Sequence, residues 1–137
     1  MILLDSSLNN DQAAAKLFHL KEVHSTNDEL RTLIQKQPQA HGTALIADHQ
    51  HGGKGQGRNL WFDRHSESLL FSIYLKALNL NPTKTFDLNI ALSLSAYDLL
   101  CNQLLPAKLR IKWPNDMIYD NKKIGGILIE NQWQGHM

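Results

Sequence analysis

The stretch Leu109-Arg110-Ile111-Lys112-Trp113-Pro114-Asn115-Asp116-Met117-Ile118-Tyr119 sets one short strand on each side of a stop. Leu109 to Trp113 carries strand-type residues, and Pro114-Asn115-Asp116 are turn formers that end it. Downstream, Met117–Tyr119 and Ile124–Glu130 flank Asp120-Asn121-Lys122-Lys123, a hairpin signal. Successive strands joined by short turns pair antiparallel. Upstream, Leu88, Ala91, Leu92, Ser95, Leu99 and Leu104 recur near helical spacing. They predict the longest helix over Thr85–Leu105, packed on the sheet. Ser68–Leu75 reads as a central strand, Thr43–Asp48 as a short buried strand, and Leu17–Val23 as the first strand. Thr26 followed by Glu29 has the form of a capping box, which predicts a short helix over Asn27–Gln35. Met1–Ala15 is weakly patterned and reads as a loosely packed lead-in. Helices and antiparallel strands occur without strict βαβ alternation. The predicted class is therefore α+β, a mostly antiparallel sheet flanked by helices.

At 137 residues, the chain is of a size that buries roughly two thirds of its unfolded surface. It is 42% hydrophobic and 20% charged, a globular composition. Its formal net charge of +1 argues against a polybasic nucleic-acid binder, so no DNA partner is expected. One cysteine, Cys101, excludes an internal disulfide and a cysteine-based zinc site. Its apolar surroundings predict a buried thiol. No signal peptide and no apolar run of about 18 residues is present, so a cytoplasmic protein with no membrane association is the expectation.

Three stretches could carry chemistry. Gly52-Gly53-Lys54-Gly55-Gln56-Gly57-Arg58 lies in a glycine-rich segment, His51–Asn59, that predicts irregular structure. Its backbone N–H groups could turn toward an anion, with charge from Lys54 and Arg58. It fits neither a Walker loop nor a dinucleotide fingerprint, and a mobile surface loop is the plain alternative. Lys112-Trp113-Pro114-Asn115-Asp116 presents polar groups at a strand end: Asn115 for a base edge, Asp116 for a hard cation. Ordinary turn chemistry is the alternative. Lys122-Lys123-Ile124-Gly125-Gly126-Ile127 sets lysines before a Gly-Gly strand, where glycine often marks close approach of a ligand. There a lysine could neutralise a carboxylate or phosphate, or the pair could be a solvated hairpin tip. The seven histidines show no metal-ligand spacing, and no Gly-x-Ser-x-Gly elbow occurs.

Taken in order, these pieces resemble the catalytic domain of biotin protein ligases, also called biotin–[acetyl-CoA-carboxylase] ligases. The resemblance runs from Leu17 to Glu130. It rests on Ser25-Thr26-Asn27, Gly42-Thr43, Ala47 and Gln50 leading into a Gly-x-Gly loop and Trp61, then Lys112-Trp113-Pro114-Asn115-Asp116 and Lys123-Ile124-Gly125-Gly126-Ile127-Leu128-Ile129-Glu130. It implies a fold like that of class II aminoacyl-tRNA synthetases. It also implies a two-step reaction: biotin and Mg-ATP give biotinyl-5′-AMP, and a lysine of the biotin carboxyl carrier domain of acetyl-CoA carboxylase then takes the biotinyl group.

By position, the resemblance gives Ser25, Thr26, Asn27 and Gln50 to biotin. Gly53, Lys54, Gly55 and Gln56 become the loop that closes on biotin and the adenylate. Trp61 walls the adenine, Asn115 reads it, and Asp116 assists Mg²⁺ and the phosphates. Lys123 becomes the catalytic residue, bridging the biotin carboxylate and the α-phosphate, with Lys112 in support. The family's usual loop reads Gly-Arg-Gly-Arg-x-Gly, so Lys54 and Gln56 depart from it, although some ligases resemble this chain in having Gln at the second place. No counterpart follows for the family's next Gly-Ile-Gly-x-Asn strand, its further helix or its small C-terminal β-barrel. The implied architecture is therefore a partial catalytic domain over 1–137 with its core at 17–130, and an incomplete sheet. Family members often dimerise, which makes a homodimer an expectation. Two alternatives stay open: a fragment that binds biotin and ATP without turnover, and a lipoate or octanoate ligase-like transferase.

Overall fold

The computed structural model describes residues 2–5, 15–57, 59–63, 67–76 and 84–132; for 2–5 only the backbone is described. The chain divides into two compact units, Met1–Asn79 with Leu128–Met137, and Leu80–Ile127.

The first unit is built on a five-stranded sheet. Its strands are β1 (Ile2–Asp5), β2 (Leu17–Val23), β3 (Ala44–Gln50), β6 (Leu70–Lys76) and β10 (Ile129–Gln132), in the order β10-β1-β6-β3-β2. Between β2 and β3 runs helix α1 (Thr26–Lys36), and this crossover lets the two strands pair in parallel, Leu17 opposite Ala44 and Val23 opposite Gln50. β1 pairs in parallel with both β6 and β10, and only β3–β6 is antiparallel. The α+β class holds, but the principal sheet is mixed, with three parallel pairings to one antiparallel. Hairpin reasoning sees only neighbours in sequence, whereas these partners are joined by a helix or by long excursions. The lead-in also differs from expectation: Ile2–Asp5 is a strand inside the sheet. Ser68–Leu75 is the central strand as read, with bounds Leu70–Lys76.

Leu30, Leu33 and Ile34 repeat at i, i+3, i+4 and press one face of α1 onto the sheet. Leu30, Leu45 and Tyr74 are fully buried, with Phe18 packed beside them. Leu30→Ala is expected to cost about 3 kcal/mol of folding stability through lost burial and the cavity it leaves, measured by urea denaturation.

The glycine-rich segment contains regular structure after all. β4 (Gly53–Lys54) pairs antiparallel with β5 (Leu60–Trp61), Gly53 opposite Trp61. A Cβ on Gly53 would stand 2.6 Å from the Trp61 carbonyl oxygen and 2.5 Å from Gln50 Nε2. Glycine here is required by close backbone approach.

The second unit sets helix α2 (Thr85–Cys101) against a three-stranded antiparallel sheet of β7 (Leu109–Lys112), β8 (Asp116–Tyr119) and β9 (Lys122–Gly126), with β8 in the middle. The helix stops at Cys101 rather than Leu105, and Leu99 lies on its outer face at 69% exposure. The face turned inward instead carries Leu88, Leu92, Ser93 and Leu100. A helix apolar most of the way round offers more than one stripe that fits helical spacing. Cys101 is half-buried rather than buried. A hydrogen bond with its thiol, one turn on, holds the Tyr97 phenol above its ordinary range.

The β8–β9 turn is tighter than the sequence suggested. Asp120 (φ 49°) and Asn121 (φ 64°) are its two central residues, and Lys122 and Lys123 already belong to β9. Two positive φ values make this the hairpin turn whose twist matches the strands. Asn121→Val is expected to cost about 1–2 kcal/mol in the same denaturation assay, and Asn121→Gly nothing. The predicted strand Ile124–Glu130 is interrupted at Ile127-Leu128, so β9 and β10 join different sheets. In sequence, Gln132–Met137 reads as a further turn; beyond Gln132, the last residue of β10, it lies outside the described residues.

Candidate functional site

The residues singled out in the sequence fall into two sets, one in each unit. The first gathers where β2 hands over to α1. The N-cap is Ser25, not Thr26, in extended backbone (φ −151°, ψ 132°), and no side chain caps the helix. Thr26 is already the first residue of the helix, and its Oγ1 accepts a hydrogen bond from Ser72 Oγ at 2.8 Å, both residues being buried. The Thr26 backbone N–H donates to Gln50 Oε1 at 3.4 Å, which turns the Gln50 amide nitrogen toward Gly53. Asn27 Nδ2 donates to the Glu130 carboxylate. A carboxylate only accepts, so the other Asn27 atom is the oxygen.

Two atoms in this turn have no partner among the described residues, Ser25 Oγ and Asn27 Oδ1, although Ser25 is 1% and Asn27 0% exposed. A buried polar atom without a hydrogen bond costs about 1–3 kcal/mol. Proteins rarely keep two together without a use for them. With Gln50 Nε2 they make a compact set of donors and acceptors suited to a small polar ring.

The glycine segment follows directly. His51 N–H donates to the Val23 carbonyl at 3.0 Å and Gly52 N–H to that of His24 at 2.8 Å, which ties its start to the end of β2. Lys54 Nζ lies 2.7 Å from Asp28 Oδ1. Lys54, Gly55 and Gly57 line a cavity of about 320 Å³ together with Asn59, Leu60, Leu128 and Glu130. That is at the small end for a ligand pocket. Gln56 sits exposed at the loop tip and Trp61 is half-buried in β5; neither lines this cavity. Arg58 lies outside the described residues.

The second set lies on β7–β9. Lys112 pairs directly with Asp116 across β7–β8, its ammonium 4.0 Å from Asp116 Oδ2. Lys123 pairs with Ile118 across β8–β9, so it shares a face with Asp116, two residues along. A long side chain spans that diagonal, and Lys123 Nζ reaches Asp116 Oδ1 at 2.7 Å. One carboxylate thus holds cations from both neighbouring strands. Asn115 is partly engaged: Nδ2 donates to the Ile127 carbonyl at 2.7 Å and its own carbonyl accepts from Ile127 N–H at 3.0 Å. Its Oδ1 is the atom left for a base edge. Trp113, joined to Pro114 by a cis peptide bond, is 71% exposed and stacks obliquely on Phe86, ring centroids 5.5 Å apart.

Sequence reasoning missed Asp28, Arg31, Ser72 and Glu130. Arg31 Nη1 lies 3.2 Å from Asp28 Oδ1 and its Nη2 lies 2.7 Å from Glu130 Oε2. The available signal was an acid and an arginine three residues apart in the first turns of a helix, and a lone acid closing an apolar run. No group of three or more metal-ligating side chains occurs among the described residues. His49 and His51 meet edge-on, their ring centroids 4.9 Å apart; His49 Nδ1 lies 3.2 Å from Asp63 Oδ2 and His51 Nε2 lies 3.5 Å from Glu22 Oε2. Among the described residues no helix is long and apolar enough to cross a membrane.

Residues 20–137 match the model of the biotin/lipoate A/B protein ligase family. The chain belongs to that family. It is 31% identical over 111 residues to the bifunctional ligase/repressor BirA of Escherichia coli, covering 81% of this chain and 33% of that protein. It is 30% identical over 135 residues to the biotin–protein ligase of Homo sapiens, covering 94% and 18%. Among solved structures it resembles the Leishmania major biotin protein ligase in complex with biotinyl-5-AMP (TM-score 0.71, 28% identity, covering 85% of this chain and 52% of that one). It also resembles the Aquifex aeolicus biotin protein ligase in complex with biotin and ATP (TM-score 0.62, 32% identity, 82% and 45%). The α+β fold is therefore that of biotin protein ligases. This family member spans a third or less of the length of those two curated relatives and about half of those solved chains.

Proposed function

We propose that this chain is a partial biotin ligase catalytic domain that takes biotin and ATP to biotinyl-5′-AMP. The observation that carries the reading is the pair of buried, unpartnered atoms Ser25 Oγ and Asn27 Oδ1 beside Gln50. A ureido ring carries N–H donors and a carbonyl acceptor, so it satisfies both kinds of atom. In this reading Ser25, Thr26, Asn27 and Gln50 hold that ring, and Gly53 to Gln56 cover it. A biotin carboxylate oxygen attacks the α-phosphorus, a P–O bond forms, and pyrophosphate leaves with the bond to its bridging oxygen. Lys123 neutralises the two anions as they approach, leaving Asp116 for them. Lys112 supports that charge, Asn115 Oδ1 accepts from the adenine amino group, and Trp61 or the exposed Trp113 offers an aromatic face. Asp116 alone makes no magnesium site; Mg²⁺ fits only as an ion brought by ATP, with Asp116 as one oxygen ligand.

The second step, transfer to a carrier lysine, rests on similarity to relatives such as the biotin–[acetyl-CoA-carboxylase] ligase of Mycobacterium tuberculosis (28% identity over 108 residues). Lys54 and Gln56, where the family's loop has arginines, favour a second reading in which ligands bind without turnover. Lysine lacks arginine's bidentate fork and glutamine lacks the charge. Incubation with Mg-ATP and biotin, lipoate or octanoate in turn, followed by mass spectrometry, tests the choice. Biotinyl-AMP alone is the expected product. A lipoyl or octanoyl adenylate overturns the substrate, and biotin binding without any adenylate leaves the second reading.

A further inference from the structure

We infer that Asp28 is a positioning residue for the glycine loop: its carboxylate anchors Lys54 and so holds the loop over the cavity before any ligand arrives. The ligand side of this inference rests on the function proposed above. β4 and β5 share only two residue pairs, Gly53 with Trp61 and Lys54 with Leu60, and a ladder that short has little stability of its own. Its placement therefore depends on what ties it to the rest of the unit. At its start these ties are the His51 and Gly52 N–H bonds to the end of β2. Downstream of β5, His49 Nδ1 lies 3.2 Å from the buried carboxylate of Asp63. Between these ends, Lys54 Nζ ties the ladder to α1 at Asp28 Oδ1, 2.7 Å away.

Asp28 is itself held. Arg31 bonds to it and to Glu130, and Glu130 also accepts from Asn27. Each of the four charged side chains, Lys54, Asp28, Arg31 and Glu130, is 26–40% exposed. The network links the loop cation, through α1, to a carboxylate that lines the cavity and to the asparagine whose oxygen stands unpaired. The loop has Lys54 and Gln56 where the usual pattern of the resemblance has arginines. Preset placement then does part of what stronger anion contacts would do.

Hydrogen exchange of the Gly55 amide, which bonds to the Asn59 carbonyl at 2.8 Å, reads the loop in the ligand-free chain. Asp28→Asn and Lys54→Met are each expected to speed it about threefold, and the double variant no more than either. Asp28→Glu should restore protection. Glu29→Gln, an exposed carboxylate lost from the same helical turn, should change nothing, which separates the contact from the helix dipole. With ligand, Asp28→Asn should raise the dissociation rate of biotinyl-AMP while the rate of its formation at saturation holds. Unchanged exchange in Asp28→Asn, additive effects in the double variant, an equal response to Glu29→Gln, or unchanged adenylate dissociation overturns the inference. If the wild-type chain makes no biotinyl-AMP while the exchange pattern holds, the proposed function fails and the anchor stands.

Discussion

Lys123→Gln is expected to slow biotinyl-AMP formation by at least about 100-fold, with biotin binding changed by less than about threefold. The reasoning is electrostatic. Two anions must meet at the α-phosphorus, and a cation placed where their charge converges is worth about 10²–10³ in rate when removed from a preorganised site. Lys123 is preorganised: its place in β9 puts it on the Asp116 face, and the 2.7 Å contact fixes the ammonium. Glutamine keeps the length and can still hydrogen-bond Asp116, so folding should be preserved. The Tm and the denaturation midpoint check that point. Lys112→Gln removes a looser contact at 4.0 Å from a side chain 73% exposed, and about a fivefold loss is expected. Single-turnover formation of the adenylate, followed by mass spectrometry, ranks the two. Equal effects would mean that Asp116 merely collects surface lysines.

Parts of this arrangement were legible in the sequence, and the reason differs from residue to residue. The stop at Pro114-Asn115-Asp116 and the turn at Asp120-Asn121 are local events. Each is written by residues whose backbone preferences act over two or three positions. The start of α1 is nearly as local, although the helix begins at Thr26, one residue earlier than the capping pattern implied, with Ser25 before it and no side-chain cap. What escaped is non-local. Nothing in Ile2–Asp5 says that four residues will sit between β6 and β10, because parallel pairing depends on partners far along the chain. The outer face of α2 escaped because its apolar residues surround the axis. For the site, residue types that act alone, such as Lys123, could be read through the resemblance to biotin ligases. Asp28, Arg31 and Glu130 could not, since a charged side chain on a helix or strand end is ordinarily just solvated. Their meaning appears only when two segments, α1 and β10, meet and Arg31 bonds to both carboxylates.

The two neighbouring glycines in the loop should answer to the same substitution in opposite ways. Gly53→Ala is expected to weaken biotin binding by at least about tenfold, and Gly52→Ala by less than about twofold, as measured by titration calorimetry. Both positions are crowded on paper: a Cβ at Gly52 would come within 2.2 Å of the His24 ring, closer than anything at Gly53. What differs is who must move. His24 is an exposed side chain and can swing to another rotamer at a cost of a fraction of a kcal/mol. At Gly53 the Cβ would meet the Trp61 backbone oxygen at 2.6 Å and the Gln50 amide at 2.5 Å. The carbonyl cannot yield without breaking the Gly53–Trp61 pairing that forms the arm. Gln50 cannot yield without giving up its bond to the Thr26 N–H and turning the amide away from the ring it is proposed to read. Either way the loop and the start of α1 lose their register together. The larger loss therefore belongs to the glycine with the longer clash distance. The opposite order would mean that His24, not Gln50, faces the ligand.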